Sequence, residues 1–517
     1  MRTAYINMTI PFSAHNAFIV ENNTFVKVGR KAAILREPID EIVDLKDKTV
    51  FPGFHDSHMH LMGLGWMQAM FNASKHSSIS ALIEAAKAHH ANPLVGRGFH
   101  ESQTSENRML TRHDLDQITT DIPIVIYRVC GHMISVNSKA IEIAKSQNGN
   151  ISYPEDSYNL EKGIFKEEAM QYVLSILPVP DADLIEAYIL DAQKTLLSHG
   201  VTSVGSDDFH ISAAPYERVY DVFKSIASNG KLKLNVLQQV NLPNLAVFED
   251  FLEKGYANKQ HGLYKNGPLK LLADGSLGAR SAYLREPYSD DPSTRGIAIF
   301  DEEKLKQHIF KACEYDMDFA IHGIGDGIIE AIMNAKEAAL ENYSTPRRDS
   351  IIHAQLADHD QIKRMKSLNL GAQTQPIFIA SDIPIIESRM GERANETYLF
   401  NSMIDLDIPT TVSTDAPIES TNPFENIYTA VTRKSFKHPE ASPFIESEKM
   451  SLKRAIEAYT QTPSYFSYQS DSLGKIQKGY QADFIVVEGF DKSNIESLLS
   501  TSVLKTYKQG QLVFEKS

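Results

Sequence analysis

Apolar residues recur at two spacings along this chain, and the alternation between the two predicts its architecture. The first fifty residues read as strands. Ala17-Phe18-Ile19-Val20 and Phe25-Val26-Lys27-Val28 flank the polar turn Glu21-Asn22-Asn23-Thr24. The far end reads the same way, with Asp483-Phe484-Ile485-Val486-Val487 as a strand and Val503 to Phe514 as a hairpin folded at Gln509-Gly510. The middle alternates strand and helix. Between Asp183 and His199, the apolar Ile185, Ile189, Ala192 and Leu196 share one helical face; Gly200 ends the helix and Val201-Thr202-Ser203-Val204 begins a strand. Strands are expected at Val50 to Asp56, Val201 to Ser206, Leu234 to Val240, Leu269 to Ala273, Phe319 to Ile321, Ser350 to Ile352, Gly371 to Thr374 and Pro409 to Ser413. Helical patterns such as Ile328 to Leu340 lie between most of them. Eight successive βα units predict an α/β fold built on a closed parallel (β/α)8 TIM-like barrel. An open doubly wound sheet is the competing architecture, but no GxGxxG follows an early strand.

The two strand-rich ends predict a small β-sandwich domain formed by both termini, residues 1–49 with 475–517, around a barrel domain at 50–474. Over a hundred residues separate the first barrel strand from the second. This stretch holds the strand-like Pro123-Ile124-Val125-Ile126-Tyr127 and reads as an insertion at about 75–182, expected to cover the active face.

Composition narrows the class. The chain has 517 residues, 42% of them hydrophobic and 23% charged, which excludes a disordered or low-complexity chain. The net charge of −14 makes nucleic acid and anionic lipid poor partners, and no apolar run reaches the ~18 residues of a membrane span. The N-terminus shows no secretion signal. Cys130 and Cys313 stand far apart with no CxxC, so neither a disulfide framework nor a thiolate zinc site is expected, and the cytoplasm is the expected compartment.

Candidate chemistry falls at the ends of the expected strands. In His58-Met59-His60 the alternate side chains of a strand share one face, so both imidazoles can point into one space. His322 follows Asp318-Phe319-Ala320-Ile321, His353 follows Ser350-Ile351-Ile352, and Asp415 follows Thr411-Val412-Ser413-Thr414. Singly, each histidine reads as a hydrogen-bonded structural residue. Together, imidazoles and a carboxylate on strands one, five, six and eight would meet at the C-terminal mouth of a barrel as a metal cage.

With these motifs in order, the chain resembles the amidohydrolase superfamily of metal-dependent hydrolases, and most closely its amidohydrolase-3 branch, which includes N-substituted formamide deformylases. The matching segments are Pro52-Gly53-Phe54-His55-Asp56-Ser57-His58-Met59-His60, Leu269-Lys270-Leu271-Leu272-Ala273-Asp274-Gly275-Ser276, His322-Gly323-Ile324-Gly325-Asp326, Ile352-His353-Ala354 and Ser413-Thr414-Asp415-Ala416-Pro417. Gly474-Lys475-Ile476 and Lys478-Gly479-Tyr480-Gln481-Ala482-Asp483 match near the end. His55 stands where the family usually has an apolar residue, and Gly323 where alanine is common.

The resemblance implies two divalent ions, zinc first among the choices. His58, His60 and Asp415 would bind one, and His322 and His353 the other. Lys270, carbamylated by carbon dioxide, would bridge them; an ammonium beside two cations is repelled, which favours the neutral amine, and the apolar run Leu269 to Ala273 argues against a solvated surface lysine. Without the carbamate, a single-metal site held by the histidines and Asp415 is the fallback. Asp415 would also shuttle the proton, and His132 in Cys130-Gly131-His132-Met133 would donate a hydrogen bond to the substrate carbonyl or be an ordinary loop histidine. Arg280 and Arg295 could meet a substrate carboxylate or be solvated loop residues; Asp326 could orient a loop or cap a helix; Asp56 and Asp274 read as structural. The expected activity is hydrolysis of a C–N bond in a small-molecule amide. Two alternatives stay open. A mononuclear deaminase of the same superfamily would usually carry HxxE, which His353-Ala354-Gln355-Leu356 lacks. A non-catalytic barrel scaffold would be expected to have lost ligands. Exposed edges of the β domain leave room for a homodimer.

Overall fold

The computed structural model describes residues 1–129 and 131–517; Cys130, one of the two cysteines expected to stay unpaired, lies outside the described residues. The described chain divides into two compact units, Met1–Gly63 with Ile185–Ser517, and Leu64–Leu184.

The first unit contains eight parallel strands: β1 (Phe54–Met59), β2 (Val201–Ser206), β3 (Asn235–Asn241), β4 (Tyr264–Leu272), β5 (Phe319–Gly323), β6 (Ser350–His353), β7 (Gly371–Thr374) and β8 (Thr410–Val412). Each pairs with the next in chain order, and helices such as Tyr216–Ser228, Glu302–Glu314 and Asp326–Asn342 run between them. The ring is nearly closed. Between β8 and β1 the Ser57 and Thr411 hydroxyls meet at 2.6 Å, Asp415 N donates to His58 O at 2.9 Å, and His60 N donates to Ala416 O at 2.7 Å. β1 and β2 approach so closely that a Cβ added at Gly205 would lie 2.1 Å from Ser57 O, so only glycine fits there. The strands are buried on both faces, which is why β5 and β6 begin as short apolar runs, while β1 and β2 bury polar side chains as well. The helix expected over Asp183 to His199 spans Ala182–Ser198 and buries Ile185, Ile189, Ala192 and Leu196 as its periodicity requires.

The terminal strands share one seven-stranded sheet, in the order Gln511–Glu515, Ser502–Lys508, Phe484–Glu488, Glu41–Pro52, Thr3–Thr9, Ala17–Glu21, Thr24–Gly29. Both hairpins turn on residues with positive φ, Asn22 (48°) with Asn23 (69°) and Gln509 (52°) with Gly510 (74°), the geometry that matches strand twist. The strand expected at Val50 to Asp56 is divided at Gly53. Residues up to Pro52 pair with Phe484–Val487 in the terminal sheet, and those from Phe54 pair with β2 in the barrel.

A buried ion pair stabilises this sheet. Lys508 Nζ lies 2.7 Å from Asp483 Oδ2, and Asp483 also accepts from Gln509 N at 2.8 Å and Gln481 Nε2 at 2.9 Å. Removing one charge strands the other in an apolar setting. Asp483→Asn is therefore expected to destabilise the protein by about 3–5 kcal/mol, read as a lower urea midpoint; an unshifted midpoint would contradict this.

The second unit is a six-stranded sheet in the order Tyr158–Asn159, Ile164–Lys166, Met133–Val136, Ile124–Arg128, Leu94–Phe99, Phe71–Asn72. Helices Ile79–Lys87 and Ser138–Asn148 pack their buried faces on it, with Leu82, Ile83, Ala140 and Ala144 in two apolar clusters. Among the described residues, no helix is long and apolar enough to cross a membrane.

Candidate metal centre

The C-terminal ends of the barrel strands bring His58, His60 and Asp415 together. One ligand atom from each lies within 4.8 Å of the others. Asp415 Oδ1 stands 3.3 Å from His58 Nε2 and 3.2 Å from His60 Nε2, yet this buried oxygen takes no hydrogen bond. The other nitrogen of each ring is already committed. His58 Nδ1 donates to Gln239 Oε1 at 2.7 Å, and His60 Nδ1 donates to the Asp207 carbonyl at 2.7 Å. Each ring is thereby locked with Nε2 toward Asp415, the arrangement by which metal-ligating histidines are oriented. Buried nitrogen and carboxylate donors converging on one point fit a divalent cation, whose charge would take the place of a proton there, and imidazole with carboxylate suits several such ions. The local field calls for positive charge. Burial would push His60 down, but the Asp415 carboxylate outweighs it and raises the imidazole to about 9. His58 is lowered to about 4, first by burial and then by the Lys270 charge.

His353 and His322 stand beside this group. The His353 ring centroid is 5.7 Å from that of His58 and 4.4 Å from that of His322. His353 Nδ1 donates to Gln375 Oε1 at 2.7 Å, which frees its Nε2. His322 differs: its Nε2 lies 3.1 Å from Asp274 Oδ1 and 3.2 Å from Gly275 O. Burial, then the neighbouring His322, holds His353 well below the usual imidazole range and hence neutral. Lys270, only 2% exposed, makes no hydrogen bond or ion pair among the described residues. Burial lowers its amine, while Asp207 and Asp415 oppose the shift. Its charge in turn depresses His58 and His353, so it belongs to the same electrostatic neighbourhood.

Backbone geometry supports the cluster. His353 (φ 72°) and Asp415 (φ 55°) sit in the left-handed region that only glycine enters freely, and such strain collects at functional sites. Asp56 clamps the loop that carries Asp415: it accepts from Thr414 N at 3.1 Å, Thr414 Oγ1 at 2.5 Å and Tyr459 OH at 3.2 Å. Burial still raises Asp56 to about 6. Asp274 accepts from Tyr283 N at 2.8 Å, Ile324 N at 3.1 Å and Gly325 N at 2.9 Å, so it holds the loop beside His322.

Other sequence candidates have partners of their own. Asp326 orients a loop, accepting from Arg285 N at 3.0 Å and Arg285 Nε at 2.9 Å. Arg280 is held by Asp290 at 3.0 and 2.9 Å, and Arg295 donates to Leu284 O at 3.1 Å; both are tied to neighbouring loop segments. His132 belongs to the Leu64–Leu184 unit, where it is exposed and pairs with Glu167 at 3.1 Å. Sequence reasoning passed over Gln239, Gln375 and Asp207. Each lies near the C-terminal end of a barrel strand, the signal that singled out the histidines, but an amide or a backbone carbonyl carries no metal-ligand pattern to find it by.

Comparison with known proteins agrees with this geometry. The model of the Amidohydrolase family matches residues 41–514. The protein YtcJ of Bacillus subtilis (strain 168) is 32% identical over 500 residues, covering 93% of this chain and 92% of its own. The N-substituted formamide deformylase of Arthrobacter pascens is 22% identical, covering 98% of this chain and 96% of its own. Among solved structures, an uncharacterized metal-dependent hydrolase from Pyrococcus furiosus superposes with a TM-score of 0.81 at 29% identity, over 96% of this chain and 100% of that one.

Proposed function

The chain belongs to the amidohydrolase family of metal-dependent hydrolases, and from that membership we propose that it cleaves the C–N bond of an N-acyl, N-formyl or cyclic amide in a small molecule. The observation that carries this reading is the buried, unbonded Asp415 Oδ1 facing two oriented Nε2 atoms. In this reading His58, His60 and Asp415 would hold one zinc ion and His322 and His353 a second, and Lys270, as a carbamate, would supply an anionic ligand to both. The carbamate forms when the neutral Nζ attacks carbon dioxide and releases one proton to solvent. Bound divalent ions would lower the pKa of water from about 15.7 toward about 7 and polarise the scissile carbonyl. Asp415 takes the proton of the attacking water and passes it to the departing nitrogen. The acyl carbon gains the water oxygen, the C–N bond breaks, and a carboxylate and an amine leave. Residues 1–49 with 475–517 act as a small β domain beside the barrel of 50–474, with 75–182 as its insertion, in a cytoplasmic homodimer.

The test is hydrolysis of a panel of N-formyl, N-acyl and cyclic amides by metal-reconstituted protein, with released amine and carboxylate quantified. Full metal loading with no cleavage across the panel would sink the reading. The residues that orient the rings have their own expected effect. Gln239→Leu removes the acceptor of His58 Nδ1 and should weaken metal affinity about 10–100-fold in a chelator competition; unchanged affinity would remove Gln239 from that role. His132 is proposed to donate a hydrogen bond to the substrate carbonyl. His132→Ala should then lower kcat about 10²–10³-fold at unchanged metal content, and an unaltered kcat would discard it.

A further inference from the structure

The opposite end of the same barrel contains a cavity of about 280 Å³, lined by the first residues of β3, by His55 of β1 and by Lys265 of β4. Lys265 and Lys270 are five residues apart on one strand, so the cavity lies roughly 17 Å from the metal centre along it. Most apolar voids stay dry and need no ligand, but this one is polar. His55 is 5% exposed, and its imidazole has no hydrogen-bond partner among the described residues. Burial, then the charge of Lys508, lowers it to about 3, so it is a neutral ring offering one donor and one acceptor. Its Nδ1 is closed off from the cavity as well as unpartnered, whereas Nε2 is not closed off in this way and makes no hydrogen bond among the described residues, so Nε2 is the nitrogen left for a ligand.

The charge of the wall selects the ligand. Lys265 is the one charged side chain lining the cavity, and among the described residues it forms no ion pair. Its ammonium stands 5.6 Å from the centroid of the Tyr468 ring, whose hydroxyl is already given to Asp318 at 3.1 Å. Burial lowers the Lys265 amine, Asp318 opposes that shift and Arg348 adds to it, so an anion placed beside the ammonium would favour its charged form. Asn235 and Gln481 each commit one amide hydrogen, to Ser203 at 2.9 Å and Asp483 at 2.9 Å, while the side chains of Gln469 and Gln509, residues that also line the cavity, make no hydrogen bond among the described residues. At about 30 Å³ per water, the space equals roughly nine waters, which suits a polar molecule of fewer than about ten heavy atoms.

We propose that this cavity is a second binding site, separate from the metal centre, for a small hydroxy-carboxylate monoanion, with Lys265 meeting the carboxylate and His55 the hydroxyl. Calorimetric titration of the full-length protein with 3-hydroxybutyrate tests this, with uncharged 1,3-butanediol and inorganic phosphate as comparisons. The expected result is saturable one-to-one binding at millimolar Kd or tighter, at least tenfold weaker for the diol and for phosphate. Lys265→Met and His55→Gln should each weaken it at least tenfold, with metal content unchanged as the check on folding, and Asp415→Asn should leave it intact. No saturable binding, equal binding of the diol, tighter binding of phosphate, or indifference to Lys265→Met would each overturn the proposal. So would loss of binding in Asp415→Asn, which would place the anion at the metal centre.

Discussion

Asp415→Asn is expected to lower kcat by at least about 10³-fold, some 4 kcal/mol of barrier, while substrate still saturates the enzyme. The substitution is chosen because it changes little else. Asparagine has the same shape and tolerates the left-handed backbone that Asp415 adopts at φ 55°. The anchors on either side are also untouched: Asp415 N still donates to His58 O at 2.9 Å, and Thr414 still binds Asp56. What is lost is a carboxylate able to accept a proton and return it. An amide can do neither, so the step at which the leaving nitrogen is protonated has no donor. Kinetics and metal analysis on the same preparation check this. A variant that turns over at the original rate would remove Asp415 from proton transfer. One that loses all metal as well as activity would limit it to a ligand role.

Much of this site could be read from the sequence because strands buried on both faces are written as short apolar runs, and barrel chemistry sits where those runs stop. His322 and His353 each follow such a run, and the structure places their rings 4.4 Å apart. Val50 to Asp56 shows where the reading fails. It reads as one strand across Pro52-Gly53, but the chain leaves the terminal sheet and enters the barrel at Gly53, whose backbone N donates to Asp483 O at 3.0 Å. A Cβ there would lie 2.3 Å from Thr202 Oγ1, a constraint that comes from a neighbour about 150 residues away in the chain. Ring orientation escaped for a similar reason. Gln375 accepts from His353 Nδ1 across two strands, and its own Nε2 donates to Ser413 Oγ at 2.8 Å and Gln373 O at 3.0 Å. Nothing local marks such a glutamine, because its role exists only once β6, β7 and β8 lie side by side.

Lys270→Ala is expected to lower bound metal and activity together, with kcat/KM falling at least about 10³-fold. The ammonium form is disfavoured by burial, and any cation held nearby by His58 or His353 disfavours it further. A neutral amine is the state that reacts with carbon dioxide, and the proposed carbamate would supply the anion that a pair of divalent ions requires. Alanine removes the amine and leaves a void at the end of β4. Formate, acetate or propionate can enter that void and offer the same two oxygens, so added short carboxylates should partly restore both metal content and turnover. The rescue separates a ligand from a packing residue, because a small acid refills the charge without rebuilding the four-carbon stem. Restoration that follows acid concentration and is absent with chloride of equal ionic strength would support the bridge. A variant that keeps its full metal content and turnover without any added acid would show that Lys270 bridges nothing.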